Sequence, residues 1–562
     1  MHTMQDADNR SKNRGPCMHV PPMNISLLSR YAFFAFCVAF TLCSLPLWDH
    51  EWLRPFTLAS AALSLLGIAD LLQTRHAVRR NYPILGNLRY LIESIRPEIR
   101  QYLIEGDNER LPFSRTQRLL IYARARNKSG DKPFGTLVDV YENGFEFIGH
   151  SMRPAPLADP DSFRVLIGGP QCTQPYSASL FNISAMSFGS LSANAVRALN
   201  KGAKLGNFYH DSGEGGISPH HGEHGGDLVW ELGSGYFGCR TSDGRFDPER
   251  FAVQARNPQV RMIEIKLSQG AKPGHGGILP KHKITPEISA TRGVPMNEDC
   301  VSPACHSAFS TPIELMQFIA QLRELSGGKP VGFKFCLGHL WEFMGIVKAM
   351  LETGILPDFI VVDGKEGGTG AAPLEFADHI GVPMREALLF VHNTLVGANL
   401  RDKIKLGTSG KIVSAFDILS VLAIGADWAN SARGFMFALG CIQSQSCHTN
   451  KCPTGIATQD PLRQRAVVVE DKAQQVYNFH RNTLRTLAEM LAAAGLEHPS
   501  QVDAKHLVRR ISATEIKLFS QQHVFLKPGE LLDSEARGKG KLHLHARMWK
   551  MARADSFGAM VD

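Results

Sequence analysis

Three cysteines close to residue 450 are the sharpest chemical signal in the chain. Cys441, Cys447 and Cys452 lie within twelve residues, in the segment CIQSQSCHTNKCPTG. Clustered thiols that end in Cys-Pro are typical of iron–sulfur ligands, because several thiolates hold the iron there. Zinc usually takes four ligands, and His448 is available as a fourth, so a zinc site and unligated thiols remain alternatives.

Charged residues within glycine-rich segments form a second signal. Glu214 stands among glycines in DSGEGG, and Lys266 and Lys272 lie in KLSQGAKPGHGG. Two short segments, 408–410 (TSG) and 431–434 (SARG), each precede a predicted helix. Backbone N–H groups at the start of a helix bind anions, so these two segments predict a site for a phosphate-bearing cofactor such as FMN.

These segments need a scaffold that brings them together. From about residue 180, short β-rich runs alternate with helical periods, which is typical of an α/β fold of the (β/α)8 TIM-type barrel. In such a barrel the active site lies at the carboxyl ends of the strands, where the glycine-rich segments fall. The eight predicted strands are 180–185, 205–210, 235–240, 261–266, 331–336, 358–363, 403–408 and 427–432. The main predicted helices are 193–204, 313–326, 341–353, 384–400 and 413–424.

An apolar region near the amino terminus predicts a membrane anchor. Residues 31–48 carry no charged side chain, and a second uncharged stretch covers 55–69. About 20 apolar residues cross the hydrocarbon of a bilayer, so residues 27–74 are predicted to form a two-helix transmembrane hairpin. Arginines on both sides place its ends and the catalytic domain in the cytoplasm, at the inner (cytoplasmic) membrane. A signal peptide and a pair of buried helices are the alternatives.

The remaining segments complete the predicted organisation. Residues 1–26 form a basic tail, 75–160 a basic helical linker, 161–480 the barrel with its cysteine motif, and 481–562 a C-terminal extension without an assigned function. The arginines of the linker suit an anionic membrane surface, but they suit a solvated helix face equally well.

Composition excludes several classes of protein. The 562 residues are 44% hydrophobic and 20% charged, which is typical of globular chains rather than disordered ones. A net charge of +8 over this length gives no indication of nucleic-acid binding. Eleven unevenly spaced cysteines favour thiols or metal ligands in a reducing compartment over a disulfide framework.

Three motifs resemble the FMN-binding synthase domain of glutamate synthase: EIKLSQGAKPGHGG, DGKEGGTGAAP and CIQSQSCHTNKCPTGIATQ. The resemblance covers about residues 160–480, and the cysteine spacing is similar to that of the family's [3Fe–4S] motif. It implies a flavoprotein oxidoreductase of glutamate biosynthesis, acting on CH–NH2 donors. In that chemistry ammonia adds to 2-oxoglutarate to give 2-iminoglutarate, which reduced FMN converts to L-glutamate.

The resemblance also implies roles for individual residues. Lys272 and Glu214 are the implied catalytic residues, and the substrate is held by Gln269, Lys272 and Arg292. Arginine suits a bidentate grip on a carboxylate, and a lysine can also transfer a proton. The cluster would be held by Cys441, Cys447 and Cys452, and FMN by Met186, Ser187, Lys266, Lys334, Gly410, Ser431 and Ala432.

Two departures from the family bear on the substrate. Ile278 stands where similar synthases carry glutamine, and the first 180 residues show no glutaminase-like segment. We therefore expect the amine to be free ammonia, another amine, or ammonia from a separate amidotransferase subunit. A ferredoxin or an NAD(P)H reductase subunit would be a separate electron donor. N-methylglutamate synthase-type condensation and a membrane electron-transfer flavoprotein without synthase activity are the alternative functions.

Overall fold

The computed structural model describes residues 25–107, 109, 112–128, 130, 133–537 and 543–560. It divides into two compact units, one ending at Glu105 and the other starting at Gly106. The basic tail predicted for residues 1–26 lies almost wholly outside the described residues.

The first unit is built from helices. A 20-residue helix, α1 (Ile25–Ser44), leads through a short 3-10 turn (Leu45–Leu47) into α2 (Arg54–Leu72), and the two pack against each other. A short α3 (Ala77–Asn81) and a longer α4 (Leu85–Ile99) follow, and α4 ends in a π-helical turn (Arg100–Ile104).

Eight parallel strands close into a barrel in the second unit, which confirms the predicted (β/α)8 architecture. Each strand pairs with the next along the chain, and the last strand pairs with the first through Ser431 and Ile183. The strands are β1 (Phe181–Ile183), β2 (His210–Asp211), β3 (Leu228–Leu232), β4 (Val260–Lys266), β5 (Val331–Phe335), β6 (Phe359–Asp363), β7 (Lys405–Ser409) and β8 (Trp428–Ser431).

Helices surround the barrel, and several of them begin with a side-chain cap. Thr311 and Glu314 form a capping box, and so do Ser414 and Asp417, because each side chain satisfies a free N–H group of the first turn. The helices are α5 (Arg115–Ala125), α6 (Ala193–Gly206), α7 (Pro219–Gly222), α8 (Pro248–Ala255), α9 (Pro286–Arg292), α10 (Pro312–Leu325), α11 (Leu340–Thr353), α12 (Leu374–His379), α13 (Met384–Gly397), α14 (Ala415–Ile424), α15 (Arg433–Ala438), α16 (Pro461–Gln464), α17 (Val469–Ala493), α18 (Phe519–Gln522), α19 (Ser534–Arg537) and α20 (His543–Met551). Single 3-10 turns lie at Pro160–Ser162, Lys281–Lys283, Cys447–Thr449 and Pro499–Gln501.

The predicted third strand is wrong. Residues 235–240 form turns, and the third barrel strand is Leu228–Leu232. Two glycines and a Tyr236 with a φ of 46° bend the chain where the prediction placed a strand. The second strand predicted at 205–210 begins too early. Residues 205 and 206 belong to α6, which ends at Asn207 in the left-handed conformation, and the strand itself is His210–Asp211.

The helix α17 completes the ring of outer helices, because it packs against both α6 and α14. The chain between β8 and α17 therefore forms an insertion at the carboxyl end of the barrel, and it carries the cysteine motif. Residue 480, the predicted end of the barrel domain, lies inside this helix. The chain that follows packs on the same unit, since α20 contacts α11.

Short antiparallel pairs decorate the barrel. Strand Glu146–Ile148 pairs with Leu507–Arg510, which also pairs with Ile516–Leu518, and Ile278–Leu279 pairs with Cys300–Val301. The hairpin of Arg164–Ile167 and Tyr176–Ser179 places Ile167, Tyr176 and Ala178 in one apolar cluster with interior residues of the strands. This cluster closes the amino end of the barrel, so the carboxyl end is left for a site.

Candidate active site

A pocket lies at the carboxyl end of the barrel. Its lining includes Glu214 after β2, Ser234 after β3, and Lys266 at the end of β4. Gln269 and the glycines 274, 276 and 277 line it from the long segment after β4. Glu214, Gln269 and Lys266, three of the residues that the sequence predicted for the site, thus share one pocket.

Charges in this pocket are concentrated around Glu214. The ammonium group of Lys266 forms an ion pair with the Glu214 carboxylate, and both side chains are largely buried. Burial opposes ionisation of Glu214, but Lys266, Arg292 and Lys272 outweigh it and lower the pKa of Glu214 to about 2. Burial also lowers the pKa of Lys272, a change that Glu214 opposes. Lys266 and Glu214 line the pocket, whereas Lys272 and Arg292 are buried and do not line it. Three cations and one carboxylate therefore act on one another here, with an excess of positive charge.

Arg292 enters the site from the last turn of α9, which ends at Gly293 in the left-handed conformation. It is 3% exposed. Its Nη2 donates to the carbonyl oxygen of Phe188 at 3.0 Å and to the hydroxyl of Ser187 at 3.4 Å. Arg292 is thereby held against the loop that follows β1, which contains the predicted cofactor residues Met186 and Ser187.

Two glycines allow the loops to approach this closely. A side chain at Gly270 would lie 1.7 Å from the carbonyl oxygen of Gly364, and a side chain at Gly213, with a φ of 65°, would lie 2.5 Å from the backbone nitrogen of Ser187. Asp363, at the end of β6, accepts hydrogen bonds from the Gly270 N–H at 2.7 Å and the Ser409 hydroxyl at 2.6 Å. It ties together the loops after β4, β6 and β7.

Two cations lie together beside the loops after β7 and β8. Lys411 and Arg433 both face the ring of Phe113, at 5.9 Å and 4.7 Å from its centre. Burial lowers the pKa of Arg433 to about 10, and burial and Arg433 together lower the pKa of Lys411. Gly410 precedes Lys411, and the Ser431 hydroxyl donates to the Ile412 carbonyl at 2.6 Å. Two neighbouring cations beside the start of α15, which follows Ala432, fit the phosphate of a flavin mononucleotide.

Lys334 lies on β5, paired in register with Lys266 of β4, and does not line the pocket. Its ammonium group contacts Glu231 directly, Glu264 at 3.0 Å and Asp211 at 3.9 Å, and all four side chains are buried. Burial disfavours its charge, but the three carboxylates outweigh burial and raise its pKa well above the ordinary value. Burial and then Glu264 raise the pKa of Asp211, so this carboxyl is favoured to keep its proton.

The three predicted metal-binding cysteines lie on the insertion after β8. Burial raises the pKa of Cys441 to about 12 and also raises that of Cys447. Cys447 and Cys452 both act to raise the pKa of Cys441, and Cys452 acts to raise that of Cys447. At Cys452 burial is outweighed by hydrogen bonds from Thr454 and from backbone N–H groups, and the pKa falls. Buried thiols that accept N–H donors are the environment in which protein Fe–S clusters are held.

The spacing of these thiols does not match a single small ion. Within the described part of the chain, one group of three acidic, histidine or cysteine ligands comes within 4.8 Å of one another, and it is Asp211, Glu231 and Glu264. Zinc–sulfur bonds of about 2.3 Å require ligand atoms closer than this.

The cysteine insertion is held by the helix α5 from the predicted linker. The Tyr122 hydroxyl donates to the Cys441 carbonyl oxygen at 2.5 Å, and the Gln443 amide donates to the Phe113 carbonyl oxygen at 3.3 Å. On the other side, Lys283 donates to the Cys447 carbonyl oxygen at 3.1 Å. The position of α5 could not be predicted from the sequence, because its contacts join residues more than 300 positions apart.

Sequence reasoning missed several residues of the site. Lys411, Arg433 and Asp363 follow or end predicted strands, and position in a barrel could have singled them out. Position at a strand end could not single out Glu231 and Glu264, the partners of Lys334, because both lie within strands. Ile278 does not line the pocket. It is 43% exposed and directly follows Gly277, which does line the pocket.

Comparison with known proteins places the chain among relatives of one kind. Residues 167–497 match the conserved region in glutamate synthase. The glutamate synthase large subunit-like protein YerD of Bacillus subtilis is 37% identical over 484 residues, which cover 79% of this chain and 91% of that protein.

More distant relatives share the barrel region. The archaeal NADPH glutamate synthase of Methanocaldococcus jannaschii is 35% identical over 315 residues, which cover 56% of this chain and 58% of that enzyme. The NADPH glutamate synthase large chain of Bacillus subtilis is 32% identical over 326 residues, which cover 56% of this chain and 20% of that protein. The chain belongs to the glutamate synthase family.

Proposed function

We propose that this protein is a glutamate synthase-type flavoprotein that reductively aminates 2-oxoglutarate to L-glutamate through 2-iminoglutarate. The observation that carries the proposal is the excess of positive charge around Glu214. Lys266, Lys272 and Arg292 surround a single carboxylate, Glu214, so two positive charges are left uncompensated. A substrate with two carboxylates supplies the matching charge.

Each of these residues has a defined part in this proposal. Arg292 orients a carboxylate through its remaining N–H donors: Nη2 contacts the loop after β1 and Nη1 contacts Cys300 Sγ at 3.7 Å, whereas Nε has no partner among the described residues. Lys272 polarises the oxo group and protonates the departing hydroxyl, a role for which its lowered pKa is suited. Glu214 remains ionised and positions the ammonia, because a pKa of about 2 makes it a poor proton acceptor.

FMN and a [3Fe–4S] cluster are the proposed cofactors. Lys411, Arg433, Gly410 and Ser431 fit the phosphate of FMN, and the three cysteines fit the cluster. When bound, FMN would supply hydride transfer, and the cluster would accept single electrons from a separate donor, either a ferredoxin or an NAD(P)H reductase subunit. The ammonia is free or comes from a separate amidotransferase subunit.

We also propose that α1 and α2 anchor the protein in the inner membrane, with the catalytic unit in the cytoplasm. Both helices are long and apolar enough to cross a bilayer, although a signal sequence or core helix passes the same test. The buried stripe of α2 is small or polar: Thr57, Ser60, Ser64, Gly67 and Asp70. Large apolar side chains point outward instead, among them Phe36, Phe56, Leu58, Leu65 and Leu72.

Small or polar residues between two helices, with large apolar side chains facing outward, are typical of helices that pack within lipid. The Thr41 and Ser60 hydroxyls hydrogen-bond across the two helices at 2.8 Å. A side chain at Gly67 would lie 2.2 Å from the ring of Phe34, so the helices need a small residue to approach there. A water-soluble pair of helices would instead bury its large apolar side chains.

Steady-state synthesis by the purified, detergent-solubilised protein tests the proposed reaction. L-Glutamate formed from ammonia, 2-oxoglutarate and a chemical reductant supports it. N-methylglutamate formed from methylamine would favour the alternative condensation. Flavin reduction without any amino-acid product would instead indicate an electron-transfer flavoprotein.

A further inference from the structure

The described residues leave the apolar face of α4 uncovered. Every side chain from Leu91 to Glu98 is exposed, on all sides of the helix. The exposed large apolar residues recur at intervals of three and four, which places them on one face. They are Leu85, Leu88, Leu91, Ile92 and Ile95, and Leu103 continues the stripe into the π turn.

Arginines border this face. Seen down the axis of α4, Arg89 and Arg96 lie next to the apolar stripe, and Ser94 lies on the opposite side of the helix. Between residues 75 and 104 the chain holds six arginines and two glutamates. Arg89 pairs with Glu93 at 2.9 Å, and the Arg79 guanidinium lies 4.5 Å from the centre of the Tyr90 ring. The segment therefore combines an apolar stripe with an excess of positive charge.

The start of α4 is fixed to the end of α2. Asp70 is 3% exposed, and its carboxylate accepts hydrogen bonds from the Ile84 N–H at 3.0 Å and the Asn87 amide at 2.5 Å. A hairpin that crosses the bilayer would end where these bonds are made. The first turn of α4 would then lie at the membrane surface, next to the exposed apolar side chains of α2.

We propose that α4 lies in the plane of the cytoplasmic membrane surface and binds anionic lipid headgroups. Its apolar stripe would enter the boundary between headgroups and acyl chains, while the flanking arginines contact phosphates. This proposal rests on the hairpin as an anchor. A lipid surface is the favoured occupant because the stripe continues the apolar surface of the hairpin and its borders are basic.

Photocrosslinking in proteoliposomes tests the proposal on the full-length protein. Benzoylphenylalanine is introduced in three separate variants: Ile92 on the stripe, Ser94 on the opposite side of α4, and Leu65 on the hairpin. Each is illuminated in vesicles of phosphatidylcholine with phosphatidylglycerol. We expect lipid adducts at positions 65 and 92 and none at position 94. Replacing Arg89→Gln and Arg96→Gln should reduce the adduct at 92 and leave that at 65 unchanged.

The outcomes separate this proposal from the anchor beneath it. A lipid adduct at 65 together with a protein adduct at 92 would overturn the lipid-binding role of α4 and indicate a partner protein or a second copy. Equal lipid labelling at 92 and 94 would overturn it as well, because no face would then be selected. If 65 gives no lipid adduct, the anchor fails, whatever position 92 shows.

Discussion

At the residue scale, the candidate site gathers charges that compensate one another only in part. Glu214 neutralises one of the three cations that lower its pKa, and the remaining charge is available to a substrate. At the phosphate end, burial and repulsion by Arg433 both disfavour the charge of Lys411 and lower its pKa. Both places gain stability when an anion binds, so ligand binding and folding should be linked there.

The lowered pKa of Lys272 leads to a pH-dependent affinity. The protonated amine binds a carboxylate, so affinity for 2-oxoglutarate should fall as pH rises through a value below the ordinary 10.5. Arginine stays charged throughout this range. In Lys272→Arg the loss of affinity should therefore move to higher pH. Titration calorimetry with ammonia omitted measures this, and an identical pH dependence in both proteins would remove Lys272 from the binding site.

The cysteine insertion makes a separate prediction. Cys447→Ser removes one thiolate ligand, so iron and acid-labile sulfide should be lost while most of the flavin stays bound. The flavin is retained because Lys411 and Arg433 lie on other loops. Cys305→Ser is the matched control, since Cys305 is exposed and lies outside the motif. Stoichiometric zinc without acid-labile sulfide in the wild-type protein would show that the cluster assignment is wrong.

Sequence could identify residues whose type and position both signal chemistry. Lys272 and Glu214 stand among glycines at predicted strand ends, and the cysteines carry their own spacing. Arg292 has no such signal, and only the family resemblance pointed to it. Glu231 and Glu264 could not be found, because within a strand the sequence does not show which side chains face the barrel interior.

At the element scale, the strands were predicted well where they are apolar and bounded by turns. β4, β5, β6 and β7 lie within two residues of their predicted positions. β3 was missed because the aromatic run GYFGCR resembles a strand, whereas its glycines and the positive φ of Tyr236 make it a turn. Tertiary contacts decide such short elements, and the sequence does not show them.

The amino end of the barrel depends on one buried ion pair. Asp358, just before β6, accepts hydrogen bonds from Arg323 at 2.9 Å, the Val331 N–H at 2.8 Å and the Gly169 N–H at 2.7 Å. Asp358→Asn leaves the Arg323 charge buried without its partner. We expect a loss of roughly 3–5 kcal/mol in unfolding free energy.

Denaturant unfolding of the catalytic unit measures this loss. Glu352→Ala, an exposed change on α11, is the control and should alter the unfolding free energy by less than about 0.5 kcal/mol. Substrate affinity of the folded Asp358→Asn protein should be unchanged, since the site lies at the other end of the barrel. Equal stability of the two variants would show that the pair does not hold the barrel end.

At the scale of the whole molecule, the boundary between the two units falls at residue 105, inside the predicted linker of 75–160. The part of that linker after the boundary belongs to the catalytic unit, because α5 contacts α15 and α17. The sequence could not locate this boundary, because a basic helix that lies on a membrane and one that packs on a barrel have similar sequences. The C-terminal extension likewise joins the barrel unit through α17 and α20.

Two truncations test this division. A protein that starts at residue 106 should remain in the supernatant after ultracentrifugation without detergent and keep its flavin and iron. A protein that starts at residue 130 lacks α5 and the Tyr122 contact to Cys441, so its iron content should fall. If the full-length protein is itself recovered in the supernatant without detergent, the anchor proposal is wrong. Equal iron in the two truncations would mean that α5 does not support the cluster.

The most direct test of the central claim follows nitrogen from ammonia into product. Purified protein is incubated with 15N-ammonium, 2-oxoglutarate and a chemical reductant, and L-glutamate is analysed by mass spectrometry beside Lys272→Ala and the exposed control Lys281→Ala. We expect 15N-glutamate from the wild type and the control, and kcat/KM lower by about 100-fold or more in Lys272→Ala with normal flavin content. The absence of labelled glutamate from flavin- and iron-replete protein, or undiminished turnover in Lys272→Ala, would contradict the account.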